Sequence, residues 1–162
     1  MIIIQTAMTD QIVIGAGFCR TGTESLAQAL NKLELGPTYQ MTENFINTDY
    51  NKWIALNEAG TKAEEEKMLR ILLTDRGYRS SVNFPASMMF QEILHLSPEA
   101  KVLLSVRDSP EAWLKSAKPT TFSGLTGAPT PIGFSPVIEL LAKFVPWLPF
   151  REMPRLEKVS HV

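Results

Sequence analysis

With 162 residues, 44% hydrophobic side chains and a net charge of −1, the chain has the size of a single domain with a sizeable core, 1–162, and lacks the basic surplus of a nucleic-acid binder. Its one cysteine, Cys19, excludes an internal disulfide and suits a reducing, cytoplasmic compartment; the two histidines, at 95 and 161, leave no metal-ligand spacing. No run approaches the ~20 apolar residues of a membrane span, and Met1-Ile2-Ile3-Ile4 lacks the charged start and apolar length of a signal peptide.

In chain order, the stretch Val13-Ile14-Gly15-Ala16-Gly17-Phe18-Cys19-Arg20-Thr21-Gly22-Thr23-Glu24-Ser25-Leu26 comes first. It predicts a buried strand over 11–15, a glycine-rich turn and a helix over 21–34. Backbone N–H groups at such a helix start have no partner in the helix and can hold a phosphate. Gly15, Gly17 and Gly22 let the backbone curl toward an anion. Arg20 adds a permanent positive charge; its plainer role is a surface charge on a loop. Thr21 and Glu24 have capping-box spacing, and Leu26, Ala29, Leu30 and Leu33 recur at helical spacing. Cys19 reads as a small structural residue, with a reactive thiol at the helix start as the alternative.

Gly36-Pro37 predicts a turn. Helices are expected over 50–57 around Trp53 and over 61–73, the latter with Glu64-Glu65-Glu66 toward solvent and Met68, Leu69 and Leu72 toward the core. A short strand fits 78–82. Pro85 suits the first turn of a helix running to Leu96, with Met88, Met89 and Phe90 in the core and His95 as a structural histidine. Residues 101–106 predict a second, wholly apolar strand, and Ser109-Pro110 opens a further helix. Arg107 follows that strand at its C-terminal end, where open α/β sheets bind ligands; the alternative is a salt bridge to Asp108 or Glu111. Trp113 is expected in the core or at a helix–sheet contact, with stacking on an adenine as the alternative. The Pro- and Gly-rich stretch 119–134 predicts a flexible loop long enough to act as a lid. Residues 136–150 are the most apolar region, and Glu139, Lys143 and the prolines fit a lid or interfacial helix better than a span. Strands alternating with helices argue for a parallel sheet with crossover helices.

The glycine loop nearly fits two common fingerprints. Gly17 and Gly22 have the spacing of a Walker A loop, but Thr23-Glu24 stands where Lys-Ser/Thr belongs, which disfavours an NTPase or small-molecule kinase. Gly15-x-Gly17 begins a dinucleotide fingerprint, but Arg20 replaces its third glycine.

A third pattern fits better. Gly17-Phe18-Cys19-Arg20-Thr21-Gly22-Thr23-Glu24-Ser25-Leu26 resembles the Gly-x-x-Arg-Thr-Gly-Thr-x-Ser-Leu signature of the P-loop sulfotransferase-like family. Lys101 to Asp108, then Pro110-Glu111-Ala112-Trp113 and Ser116, is similar to the family's strand, arginine and Trp-containing helix. Val82-Asn83-Phe84-Pro85-Ala86 is similar to its Val-Asp-x-Pro-Ala turn. The order and spacing agree across roughly residues 10–118.

The resemblance implies a three-layer α/β P-loop domain with a parallel sheet, of the nucleoside triphosphate hydrolase-like kind. It implies binding of 3′-phosphoadenosine 5′-phosphosulfate (PAPS) and metal-free transfer of its sulfuryl group to a small-molecule hydroxyl acceptor. Gly17, Arg20, Thr21, Gly22, Thr23, Glu24 and Ser25 would hold the 5′ end, with Arg20 as the phosphosulfate clamp. Arg107 and Ser116 would hold the 3′-phosphate. On the acceptor side Gln40 stands where the family usually has histidine and Asn83 where it has aspartate. Both replace a titratable group by an amide, so impaired activity, or a non-catalytic nucleotide-binding pseudoenzyme, is the alternative. Family members usually continue to a further strand and helix carrying a Gly-Trp-x-x-Leu segment; its lack here implies a shortened domain. Residues 135–150 would then fold back over the uncovered sheet, or a homodimer would cover it.

Overall fold

A computed structural model of the chain describes residues 11–120. Their centre is a sheet of four parallel strands: β1 (Val13–Gly15), β2 (Thr38–Tyr39), β3 (Ser80–Ser81) and β4 (Lys101–Leu103), in the order β2-β3-β1-β4. Six α-helices accompany it: α1 (Thr23–Lys32), α2 (Met41–Ile46), α3 (Tyr50–Asn57), α4 (Lys62–Leu72), α5 (Phe90–Leu96) and α6 (Pro110–Ala117). Short 3-10 turns cover Thr74–Arg76 and Ala86–Met89.

Successive strand residues face opposite ways, so β1 serves two cores. Val13 packs with Ala27 and Leu30 of α1 and with Val82. Ile14 packs on the other side with Tyr39, Trp53, Leu56, Leu69, Leu72 and Ile93, from β2, α3, α4 and α5. Helices therefore flank both faces of an α/β parallel sheet, as the alternation of elements predicts. Local chemistry explains the helices that fall where expected. Thr61 caps α4, accepting the Glu64 N–H at 3.2 Å, and Ser109 caps α6, accepting the Ala112 N–H at 3.1 Å, with Pro110 in the first turn.

Several expectations are corrected. Helix α1 starts at Thr23, not Thr21, because the Thr21 hydroxyl is turned away from a capping role: it donates to the Phe18 carbonyl at 2.6 Å and lies 2.8 Å from Ser105 Oγ. Gly22 takes the cap position at φ 88°, a left-handed conformation that suits glycine. The buried stripe of α1 is Thr23, Ala27 and Leu30; Ala29 is exposed and Leu33 is 68% exposed. The two-residue strand β2 and helix α2 carry too few residues to show a period, and β2 exists by pairing with β3, Thr38 beside Ser80 and Tyr39 beside Ser81. His95, expected as a structural histidine among apolar neighbours, is exposed and has a local partner, Nδ1 lying 2.8 Å from the Gln91 carbonyl. Of the stretch 101–106, expected as one apolar strand, only Lys101–Leu103 is strand, and Lys101 and Ser105 interrupt its apolar run. Strand β4 forms the sheet edge among the described residues, with Val102 43% exposed and Leu104, just past its end, 67% exposed. The expectations for residues 121–134 and 135–150 lie outside the described residues.

One buried feature had no counterpart in the sequence pattern. Asp49, fully buried at the start of α3, receives Lys52 Nζ at 2.6 Å, Arg76 at 2.6 Å and the Tyr39 hydroxyl at 3.2 Å. Trp53 Nε1 donates to the same tyrosine oxygen at 2.8 Å. Burial, opposed by that indole bond, holds the Tyr39 hydroxyl protonated far beyond its usual range. The hydrogen bond to Asp49 raises the pKa of Arg76 further still. This hub anchors β2, and with it Gln40, to α3 and to the turn after α4.

Candidate anion-binding site

All four strands are parallel, so their C-terminal ends lie along one edge, and the singled-out residues follow those ends. The glycine loop leaves β1, Gln40 follows β2, Asn83 follows β3, and Ser105 and Arg107 follow β4. From the adjacent strands β1 and β3 the chain departs to opposite faces, to α1 and to α5. Such a reversal opens a crevice at the strand ends.

The loop is seated against β4. Ala16 N donates to the Leu103 carbonyl at 2.9 Å. Gly17 lies so near Ser105 that a Cβ would stand 2.7 Å from the Ser105 carbonyl oxygen, which any larger residue would force apart. Thr21 Oγ1 closes the seat through Ser105 Oγ. Arg20 is held at φ 66°, a conformation uncommon for a residue with a side chain and frequent at functional sites.

Arg107 maintains that turn. Its Nε donates to the Arg20 carbonyl at 2.6 Å, and its terminal nitrogen reaches Ser116 Oγ at 3.3 Å. Arg20 Nε donates to the same Ser116 oxygen at 3.1 Å. Two guanidinium groups from the β1 loop and the end of β4 thus meet at one hydroxyl on α6. Neither has a carboxylate within 4 Å among the described residues, so the alternative pairing of Arg107 with Asp108 or Glu111 is not realised. The Glu111 carboxyl is engaged locally: hydrogen bonds from its own backbone N–H, then from the Ser109 hydroxyl, hold it below the usual range.

Helix α6 is tied to the loop a second time. Trp113 Nε1 donates to the Cys19 carbonyl at 2.9 Å, and its ring lies 6.3 Å from Phe18, tilted by 50°. Trp113 is half-buried there and Phe18 is 44% exposed. Of the remaining loop residues, Thr23 is buried while Gly22, Glu24 and Ser25 are exposed, and Glu24 accepts from Gln28 at 3.1 Å. The N–H groups of Thr23, Glu24 and Ser25 form the first turn of α1, since the ladder begins with Leu26 N on the Gly22 carbonyl.

Gln40 and Asn83 stand on the far side of β1. Gln40 precedes α2 in extended backbone, half-buried, with no capping bond from its side chain. Asn83 has φ 66°; its Oδ1 accepts the Phe84 N–H at 2.8 Å and its carbonyl accepts the Ser87 N–H at 2.8 Å. Its side-chain oxygen is thus part of the turn. Ser105 was missed by sequence reasoning, although its place two residues before Arg107, past the end of β4, was a usable signal. Among the described residues no group of three or more His, Cys, Asp or Glu side chains is placed to hold a metal, and no helix is long and apolar enough to cross a membrane.

A family profile for the sulfotransferase domain matches residues 12–151. The chain belongs to this sulfotransferase family. The sulfotransferase domain is also 35% identical over 113 residues to the Ava biosynthesis cluster protein M of Aspergillus versicolor. That alignment covers 67% of this chain and 42% of the relative, so the chain spans about two-fifths of that protein. The arginine pair and its loop lie wholly inside the part that the family profile covers.

Proposed function

We propose that the domain binds PAPS between the β1 loop and α6 and that, when bound, this nucleotide supplies a sulfuryl group for a hydroxyl of a small-molecule acceptor, without a metal. The convergence of Arg20 and Arg107 on the Ser116 hydroxyl, with no carboxylate beside either among the described residues, carries the reading. Two neighbouring cations without a counter-charge are a site for an anion. Among the described residues Arg20 engages one of its five N–H donors and Arg107 two, which leaves a fork of donors on each without a partner there. Gly17 to Ser25 would hold the 5′ end with the first-turn N–H groups of α1, and Arg107 with Ser116 would hold the 3′-phosphate. Arg20 would oppose the negative charge that grows on the bridging oxygen as the sulfuryl group departs. A cytoplasmic location, as the single thiol suggests, belongs to the same reading. So does a small-molecule acceptor, with which a relative named for a biosynthesis cluster agrees.

A second reading rests on Gln40 and Asn83. Neither amide takes a proton at neutral pH, and the Asn83 oxygen already accepts the Phe84 N–H. A domain that binds the nucleotide and transfers slowly or not at all fits those two residues.

Thermal titration tests binding. The protein should melt at higher temperature with 3′-phosphoadenosine 5′-phosphate in the presence of EDTA, by mass action on the folded state, and respond little to magnesium–ATP or NAD. Equal stabilisation by magnesium–ATP would overturn the assignment. Transfer assays then separate the two readings. If the amides are the defect, Gln40→His with Asn83→Asp should raise transfer to an alcohol or phenol, since general-base catalysis is typically worth 10²–10⁴-fold. Robust turnover by the parent chain would show that another group serves as base.

A further inference from the structure

Strand β4 is built for burial and is not buried. Parallel strands that are apolar on both faces belong inside α/β layers with both faces covered. Yet Val102, Leu104 and Val106, at alternate positions, are 43%, 67% and 70% exposed at the edge of the sheet, and Leu103, on the opposite face from Val102, is 39% exposed. The uncovered surface continues a covered one. Val102 lies level with Ile14 on the neighbouring strand, and Ile14 is fully buried beneath Ile93 and its neighbours. Among the described residues the helical layer stops one strand short.

We infer that residues 137–145 of this chain dock on the Val102–Val106 surface as an amphipathic helix and complete that layer. The family profile runs past Thr120 to residue 151, so this segment belongs to the same domain as the described residues, which leave the face open. Its sequence suits the task. At 100° per residue Val137, Ile138, Leu140, Leu141, Phe144 and Val145 fall on one arc, while Glu139 and Lys143 stand opposite as an i, i+4 pair. Ser135-Pro136 fits a helix start and Pro146 a stop. Nine helical residues span about 13 Å, about the length of an extended run from Val102 to Val106. The fourteen residues 121–134 reach up to roughly 50 Å, ample from the end of α6, which is itself tied to the loop beside β4.

Disulfide trapping tests this without using activity, so its failure and that of the sulfotransferase reading are distinct. In a Cys19→Ser background, Leu104→Cys is combined with Leu141→Cys, and separately with Glu139→Cys on the opposite arc. Cooperative melting of the reduced proteins checks the fold, and Val106→Cys replaces Leu104→Cys if that check fails. Mild oxidation should take the Leu104/Leu141 pair from two free thiols to none at monomer mass, at least tenfold faster than the Leu104/Glu139 pair. Disulfide-linked dimers would overturn the inference in favour of a second copy on β4. Two thiols that stay free, or equal rates for both pairs, would also overturn it, showing a face left to another partner or a tail that meets it at random.

Discussion

Replacing Arg107 by alanine should remove anion binding and barely alter the ligand-free domain. The side chain is exposed, and its two bonds, 2.6 Å to the Arg20 carbonyl and 3.3 Å to Ser116, both compete with water. Their net worth to folding is below about 1 kcal/mol in total, a shift of a few degrees in Tm. The ligand side differs. A charge-assisted bond from a guanidinium to phosphate is worth about 1.5–3 kcal/mol, which is roughly 10- to 150-fold in Kd. Arg107→Ala should fall toward the larger figure, because it also releases the turn that aims Arg20. Arg107→Lys keeps the charge and loses the two-point grip, so its loss should be intermediate. Ser116→Ala removes a neutral hydroxyl and should cost roughly 2- to 10-fold. Calorimetric titration with 3′-phosphoadenosine 5′-phosphate at fixed salt measures each loss, and melting without ligand measures the fold. An alanine variant that binds within twofold of the parent would refute the reasoning. So would one that melts more than about 10 °C lower without ligand, since Arg107 would then be a structural residue.

Asp49→Ala should have the reverse profile, destabilising the domain by about 3 kcal/mol in urea unfolding, because it strips a fully buried acceptor from Arg76, Lys52 and Tyr39. Lys52→Ala, at a side chain 39% exposed, should cost less than about 1 kcal/mol; equal costs for the two would contradict the hub. Burial raises the pKa of Tyr39, and burial followed by a hydrogen bond to Glu43 raises that of Tyr78, so the folded state resists losing protons that the unfolded chain gives up near pH 10. Stability should therefore be whole below about pH 10 and fall above it, by up to about 1.4 kcal/mol per pH unit for each tyrosine. Tyr39→Phe should flatten that alkaline slope while lowering stability at every pH, and urea midpoints at pH 9, 10 and 11 with parallel slopes would refute it.

What the sequence made legible was chemistry held close together along the chain. The glycine loop, the Thr61 and Ser109 caps and the apolar faces of α3 and α4 each involve residues a few positions apart. Long-range partners hid the rest. Asp49 carries no local signal of its role, and nothing near it announces Arg76, 27 positions on. Strand β2 is two residues long and owes its existence to β3. Thr21 had the right neighbour for a capping box, but Ser105, 84 positions away, claimed its hydroxyl. Arg20, Arg107 and Ser116 could be named singly from the motif; that they meet at one oxygen required the fold. The exposure of β4 defeated composition for the same reason, since three apolar residues in a row, Val102 to Leu104, say what a strand can bury and not whether anything lies on top of it.

The bond from Arg107 to the phosphate loop ends on a main-chain oxygen, the carbonyl of residue 20, and not on that residue's side chain. The brace therefore does not depend on which side chain position 20 carries, provided the residue accepts a φ of 66°, as glycine or asparagine does. Charge at the mouth of the loop and the shape of the loop are consequently separate heritable traits. A lineage could dilute the one and keep the other, retaining a well-formed cradle that no longer attracts its ligand, and a single codon change at position 20 would restore the attraction.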